Sequence, residues 1–223
     1  MQLAPNVHQI PLGVVNAYLI VENDRLTLID AGMDKRARRI LKAIRELGHA
    51  PTDLKQILLT HTDVDHVRGV ETLVAASGAH VHASRMEADA LARGEPTRHL
   101  KLKGILKWLY DVGQPMMRFG AMQVDGVLEA GQLLPILDGL EVIPSPGHTQ
   151  EHISFYLRKQ RILFAGDSFR SNKTGLMIST GVNTWDEEAA KASAARQKEC
   201  QPEIVCVGHG PVVFEAMGKF PER

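Results

Sequence analysis

Four potential metal ligands fall within six residues of the chain, in the segment His61-Thr-Asp-Val-Asp-His66. These ligands are His61, Asp63, Asp65 and His66, and they directly follow a short apolar stretch, 56–60, that predicts a buried strand. Loops that follow strands are where a scaffold often presents reactive groups. Imidazole and carboxylate groups in this spacing predict a metal site that could activate water for hydrolysis.

Three further candidate ligands, His148, Asp167 and His209, each follow a glycine and come shortly after a predicted strand. Glycine lets the backbone bend tightly, so that the next side chain can point across the rim of a sheet. A single histidine or aspartate of this kind would carry little weight, because most such residues are surface or core residues. The repeated order of strand, glycine and ligand, together with the cluster at 61–66, predicts a metal centre.

The elements that must position these residues form two strand-rich halves. The first half opens with a predicted hairpin, 17–22 and 25–30, around the turn at Asn23-Asp24. Further predicted strands are 56–60, 79–82, 122–128, 140–144, 153–157, 161–165 and 203–207, and a further predicted helix is 69–77. Strands and helices distributed through both halves predict a two-layered α/β domain with helices outside the sheets.

Two longer helices have recognisable ends. Residues 34–47 have the apolar spacing of an amphipathic helix, and Gly48 ends it. A second helix is predicted over 185–199, with Thr184 and Glu187 spaced as a capping box at its start.

Residues 85–120 have helical patterns, unlike the two strand-rich halves that flank them. They predict a helical, cap-like insertion within a single domain of residues 1–223. Its apolar side chains include Trp108, Tyr110, Met116, Met117 and Phe119. They could form a wall for an acyl chain or ring above the metal edge, because methionine suits adaptable binding surfaces. The alternative is that the insertion simply packs on the core.

Composition limits the partners and the compartment. Lys and Arg number 26 and Asp and Glu number 26, so the formal net charge is zero. A chain without net charge has no overall field that draws it to nucleic acid or to an anionic membrane, and we expect neither partner. The N-terminus lacks a signal-peptide pattern and no apolar run could span a bilayer, so the expected compartment is the cytoplasm. Two cysteines exclude a disulfide scaffold.

On its motifs the chain resembles the metallo-β-lactamase superfamily over nearly its whole length. The motifs are Leu28-Ile-Asp-Ala-Gly32, the cluster at 61–66, Pro146-Gly-His-Thr149, Ala165-Gly-Asp167 and Gly208-His-Gly210. The resemblance implies an α/β fold of the αββα sandwich type, with two mixed sheets, helices outside them and a dinuclear metal site along one edge.

The resemblance also implies a ligand set. The first metal would be held by His61, Asp63 and His148, the second by Asp65, His66 and His209, and Asp167 would bridge both. Asp65 and Asp167 are the candidate catalytic residues. Asp30 would help to fix the ligand loops. We interpret His152 as a loop or supporting residue and not as a ligand.

Asp63 departs from the common pattern, because most members of the family have histidine there. We expect two divalent ions, and zinc in the first place. A carboxylate is a harder ligand than imidazole, so Asp63 makes iron or manganese the alternative. The aspartate also makes the site less positive, which should lower the pKa of bound water less than histidine would. Alternatively, Asp63 points away and the protein works with one metal.

The resulting hypothesis is a metallo-hydrolase in which a hydroxide on the metal pair attacks a small activated acyl substrate: a lactone, thioester, ester or β-lactam. The alternative is an iron-dependent redox enzyme of the same fold, similar to persulfide dioxygenases or to O₂ or NO reductases. A phosphodiesterase or nuclease, and a non-catalytic metal-binding domain, are weaker alternatives. A homodimer is compatible with the sequence.

Overall fold

The computed structural model describes residues 1–97, 104, 105, 112 and 118–221. Nearly half of the predicted insertion lies outside these residues, including Trp108, Tyr110, Met116 and Met117. The cap interpretation of residues 85–120 therefore stays a prediction. Phe119 is described, and it packs at the edge of the core beside the first sheet.

The described residues of the N-terminal half form a seven-stranded sheet in which neighbouring strands follow the order of the chain. Its strands are β1 Gln2–Ala4, β2 Val7–Pro11, β3 Asn16–Glu22, β4 Arg25–Ile29, β5 Leu54–Leu58, β6 His80–Ala83 and β7 Gly126–Val127. Pairing is antiparallel from β1 to β4 and parallel from β4 to β7. The predicted hairpin is confirmed, and its two strands are β3 and β4.

The second sheet also has seven strands within the described residues, in the order β14-β13-β11-β10-β9-β8, with β12 paired to β11. Its strands are β8 Leu133–Leu134, β9 Leu140–Pro144, β10 Ile153–Leu157, β11 Ile162–Ser171, β12 Leu176–Ile178, β13 Ile204–His209 and β14 Val213–Phe214. The pair β11–β13 is parallel and the other pairs are antiparallel. Both sheets are thus mixed.

Five α-helices connect these strands in the part of the chain that the structure describes. They are α1 Arg38–Glu46, α2 Val64–Val67, α3 Val70–Ser77, α4 Arg85–Arg93 and α5 Glu187–Glu199, and 3₁₀ turns lie at Pro51–Asp53, Gly181–Asn183 and Ala216–Lys219. None of the described helices is long and apolar enough to cross a membrane.

The core lies in three layers that follow from strand alternation. Between the sheets, Tyr18 and Ile29 of the first sheet pack with Phe155 and Phe164 of the second. The outer face of the first sheet packs against α1, α3 and α4, and the outer face of the second packs against α5. The order of layers is therefore helix, sheet, sheet, helix, as the αββα expectation requires.

The start of the last helix differs from the prediction. The helix begins at Glu187, and the carboxylate of Asp186 accepts hydrogen bonds from the backbone N–H groups of Glu188 and Ala189. The capping box of Thr184 and Glu187 is therefore wrong. An aspartate immediately before the helix caps it, and the Glu187 side chain instead accepts from the N–H of Gly181.

Other element ends also differ from the prediction. Helix α1 begins at Arg38 and not at 34, because the Asp34 carboxylate accepts the N–H groups of Arg36 and Arg38 in a turn before it. The predicted strand 122–128 is reduced to β7. Strands β11 and β13 run further than predicted, so two candidate ligands lie inside strands and not after them.

Candidate metal centre

The structure brings all seven predicted ligands together. His61 and Asp63 follow β5, and Asp65 and His66 lie on the short helix α2 that starts immediately afterwards. The remaining three come from the second sheet: His148 from the β9–β10 turn, Asp167 from β11 and His209 from the end of β13. The side-chain donor atoms fall into overlapping groups of three in which all donor atoms lie within 4.8 Å of one another.

One group consists of His61, Asp63 and His148, which are all buried. Oδ2 of Asp63 lies 3.0 Å from Nε2 of His148 and 3.6 Å from Nε2 of His61. Asp63 therefore points into the cluster. Two imidazoles and one carboxylate in this arrangement could hold one divalent cation.

A second group consists of Asp65, His66 and His209. Nε2 of His209 lies 3.2 Å from Oδ2 of Asp65, and each of these two side chains is a little over one-fifth exposed to solvent. His66 is fully buried. This group therefore forms the more open side of the cluster, where a substrate could approach.

Asp167 lies between the two groups. Its Oδ1 is 3.3 Å from Nε2 of His66, and its Oδ2 is 3.3 Å from Nε2 of His209 and 3.6 Å from Nε2 of His148. One carboxylate thus contacts histidines from both groups, which is the geometry that a bridging ligand needs. The arrangement could hold two cations close together.

Two glycines make this placement of Asp167 feasible. Gly166 has a left-handed φ of +52°, and the strand register shifts on either side of it, so β11 bulges just before Asp167. A Cβ on Gly208 would overlap Oδ1 of Asp167 and would lie 2.8 Å from Cε1 of His66. The predicted order of glycine and ligand therefore has a steric basis at these two positions.

Three buried atoms test whether these residues fit a metal. Nε2 of His61, Nε2 of His66 and Oδ1 of Asp167 are buried and make no hydrogen bond to any residue that the structure describes. Burying a polar atom without a partner is costly, and native proteins rarely do it without a reason. Cations held by the two ligand groups would satisfy all three atoms, so the residues fit the divalent metals of the expected site.

Neighbouring groups hold the far nitrogens of His61, His66 and His209. Nδ1 of His66 lies 2.8 Å from Oδ2 of Asp30, and a carboxylate is an acceptor, so this nitrogen carries hydrogen and Nε2 faces the cluster. The Thr60 hydroxyl donates to Asp30 and accepts from Nδ1 of His61 at 2.9 Å. Nδ1 of His209 donates to the carbonyl of Val14 at 2.7 Å. All three rings are therefore held in the orientation of a ligand.

His152 supports Asp167 through a hydrogen bond to its backbone. Its Nε2 accepts the backbone N–H of Asp167 at 3.0 Å, and its Nδ1 lies 2.8 Å from the hydroxyl of Ser145. Burial and the neighbouring His61 hold the pKa of His152 well below its usual range. A neutral ring is what accepting a backbone hydrogen bond at Nε2 requires, so His152 fits the supporting role predicted from the sequence.

The cluster stabilises positive charge. Burial alone would raise the pKa of Asp167, but the charge of His66, whose Nε2 lies 3.3 Å away, and the close contact with His209 hold the pKa well below its usual range. Burial alone would lower the pKa of His209, yet its hydrogen bonds to Asp167 and Asp65 raise it to about 10. Carboxylates that attract protons to neighbouring histidines would attract a divalent cation in the same way.

One buried carboxylate near the centre was missed in the sequence. Glu87 on α4 is fully buried, whereas a glutamate in a charged helix usually faces solvent. The available signal was its spacing, since Glu87 lies three and four positions before Ala90 and Leu91 and so shares their buried face.

Comparison with known proteins points to the same family as the sequence motifs. A family model described as the metallo-beta-lactamase superfamily matches residues 10–209. The chain is 31% identical over 213 residues to the uncharacterized protein YobT of Bacillus subtilis, covering 88% of this chain and 83% of YobT. It is 30% identical over 206 residues to a hydroxyacylglutathione hydrolase of Cereibacter sphaeroides, covering 89% of this chain and 67% of that enzyme.

Among solved structures, the B3 metallo-beta-lactamase BLEG-1 superposes with a TM-score of 0.75 at 25% identity. The superposition covers 96% of this chain and 98% of BLEG-1. The similarity therefore extends over both sheets and both layers of helices.

Proposed function

We propose that this chain, which belongs to the metallo-β-lactamase superfamily, is a dinuclear metallo-hydrolase of small activated acyl compounds. The observation that carries the proposal is the position of Asp167, whose carboxylate contacts histidines of both ligand groups. His61, Asp63 and His148 would hold the first metal, and Asp65, His66 and His209 the second. Two divalent cations bound there would lower the pKa of water and polarise a carbonyl oxygen.

The protein's own residues would orient the reaction. Asp65 is half-buried on the open side of the cluster, where its carboxylate could take the proton of an attacking water. Asp167 would hold the two metal positions at a fixed spacing through its two oxygens. The buried side, with His61, His66 and His148, would exclude bulk water from behind the site.

Two similar proteins support an acyl substrate. Hydroxyacylglutathione hydrolase and metallo-beta-lactamase are both names of enzymes that cleave an acyl bond. We extend that class to this chain as lactones, thioesters, esters or β-lactams. The zero net charge supports a small molecule, and not nucleic acid, as the substrate.

The test is a substrate panel with the metal-loaded protein. We expect hydrolysis of at least one lactone, thioester, ester or β-lactam, and its loss in Asp167→Asn. Asp138→Asn, which changes an exposed carboxylate paired with Lys159, is the matched control and should keep the activity. Activity on a phosphodiester alone would contradict the acyl-hydrolase proposal.

An iron-dependent redox enzyme is the second candidate, and the orientation of Asp63 favours it. His61, Asp63 and His148 supply two imidazoles and one carboxylate, the donor set of many non-haem iron(II) sites. Metal analysis separates the candidates. Zinc with acyl hydrolysis supports the first, and iron with O₂ consumption supports the second.

A further inference from the structure

Glu87 forms a buried cluster with three threonines. Its carboxylate accepts the backbone N–H of Thr62 at 3.0 Å and the Thr62 hydroxyl at 2.5 Å. It also accepts the hydroxyls of Thr149 at 2.6 Å and of Thr97 at 2.8 Å. Glu87 therefore accepts hydrogen bonds from three segments that are distant in sequence.

Two of these segments carry candidate ligands of the first metal. Thr62 lies between His61 and Asp63, and Thr149 immediately follows His148. Every member of the first ligand group is thus a chain neighbour of a residue bonded to Glu87. Among the described residues, the hydrogen bonds of Glu87 do not reach a chain neighbour of Asp65, His66 or His209.

The two oxygens of Glu87 divide the contacts. Oε2 accepts both hydrogen bonds of Thr62, and Oε1 accepts the hydroxyl of Thr149. Because the two oxygens of a carboxylate have a fixed spacing, Glu87 sets the distance between the segment of His61 and the turn of His148. That distance decides whether one cation can contact all three ligands.

Thr97 connects a third segment to the same point. Its hydroxyl donates to Glu87, and its backbone N–H donates to the Thr62 hydroxyl at 3.1 Å. Thr97 lies within the predicted insertion 85–120. A residue of the insertion is therefore hydrogen-bonded to Thr62, which lies between His61 and Asp63.

A packing role alone does not account for a carboxylate at this position. Removing a carboxylate from water is costly, and an apolar side chain would fill the same space without that cost. The four donors around Glu87 offset the cost only in the observed arrangement.

We propose that Glu87 is a positioning residue that sets the affinity of the first metal site, His61, Asp63 and His148, without setting that of the second. This inference rests on the proposed dinuclear centre. Supporting residues around a metal site typically contribute tenfold to a hundredfold to metal affinity. A general effect on folding would weaken metal binding at both sites. A loss of affinity confined to the first site therefore points to the positioning role of Glu87.

The test measures Co²⁺ affinity from the visible absorption of the cobalt protein, in backgrounds that keep one site. His209→Ala keeps the first site, and His148→Ala keeps the second. Glu87→Gln retains only one acceptor oxygen, so Thr62 and Thr149 can no longer both donate to the side chain at position 87. We expect Glu87→Gln to weaken Co²⁺ binding by about tenfold or more in the first background and by less than about threefold in the second.

Two controls keep the test decisive. Glu22→Gln changes a glutamate at the far end of β3, bonded to the N–H of Leu137, and should change neither affinity. If Glu87→Gln does not fold, the pair Thr149→Val and Thr149→Ser replaces it. The valine should weaken the first site, and the serine, which keeps the hydroxyl, should restore it.

The outcomes separate this inference from the proposed function. Equal losses at both sites, or no loss at the first, would overturn the role of Glu87 and leave the dinuclear centre intact. A wild-type protein that binds no Co²⁺ would overturn both.

Discussion

The carboxylate of Asp63 lies 3.0 Å from Nε2 of His148, although 85 positions separate the two residues in the chain. Both side chains are buried, and the contact joins the loop after β5 to the turn between β9 and β10. It places a negative charge where most family members have an imidazole. The first ligand group is therefore less positive than the common one, and this difference can be measured.

Replacing Asp63 tests that difference in charge. Asp63→His should move the acidic limb of the pH–rate profile to lower pH, because a more positive site lowers the pKa of the attacking water further. The measurement is kcat/KM against pH, made on protein whose content of two metals per chain has been checked. An unchanged limb at equal metal content would reject the electrostatic argument.

Asp30 provides a test of the support around the ligands. Asp30→Asn should weaken metal binding by about tenfold to a hundredfold, because the carboxylate that holds Nδ1 of His66 and the Thr60 hydroxyl becomes an amide. The affinity can be measured by competition with a chromophoric chelator. Asp24→Asn, at the exposed turn before β4, is the control, and equal affinities in both variants would contradict the role of Asp30.

The glycine at 208 gives a steric test. Gly208→Ala should abolish binding of one or both metals while the sheets still form, because the added Cβ would overlap Asp167 and crowd His66. Metal content and circular dichroism together measure this. Gly218→Ala is the matched control, since a Cβ there meets no atom within 4 Å. Full metal content in Gly208→Ala would show that the close approach is not needed.

The sequence predicted the candidate ligands and the supporting residues Asp30 and His152, but it did not predict the roles of Asp186 and Glu87. Residues His61 and His148 could be found because glycine, strand ends and spacing are local signals. The capping residue Asp186 was missed because Thr184 offered a competing local pattern. Glu87 was missed because its role depends on hydrogen bonds from Thr62 and Thr149, and only the folded chain brings these residues to it.

His152 gives a prediction about stability. His152→Phe should lower the free energy of unfolding by about 1–3 kcal/mol, because it leaves the buried N–H of Asp167 without its acceptor. Urea unfolding of the metal-free protein measures this without the contribution of bound metal. His80→Phe is the control, since His80 is exposed on β6 and its pair with Asp125 is a surface contact. Equal losses in both variants would argue against a specific role for His152.

Metal stoichiometry tests the central claim most directly. We predict about two divalent ions per chain in the purified, metal-loaded protein, loss of acyl hydrolysis when a chelator removes them, and recovery when they are restored. His148→Ala and His209→Ala should each retain about one ion, because each variant disrupts one ligand group. A wild-type protein that holds no ion, or that hydrolyses its substrate equally well after chelation, would contradict the account.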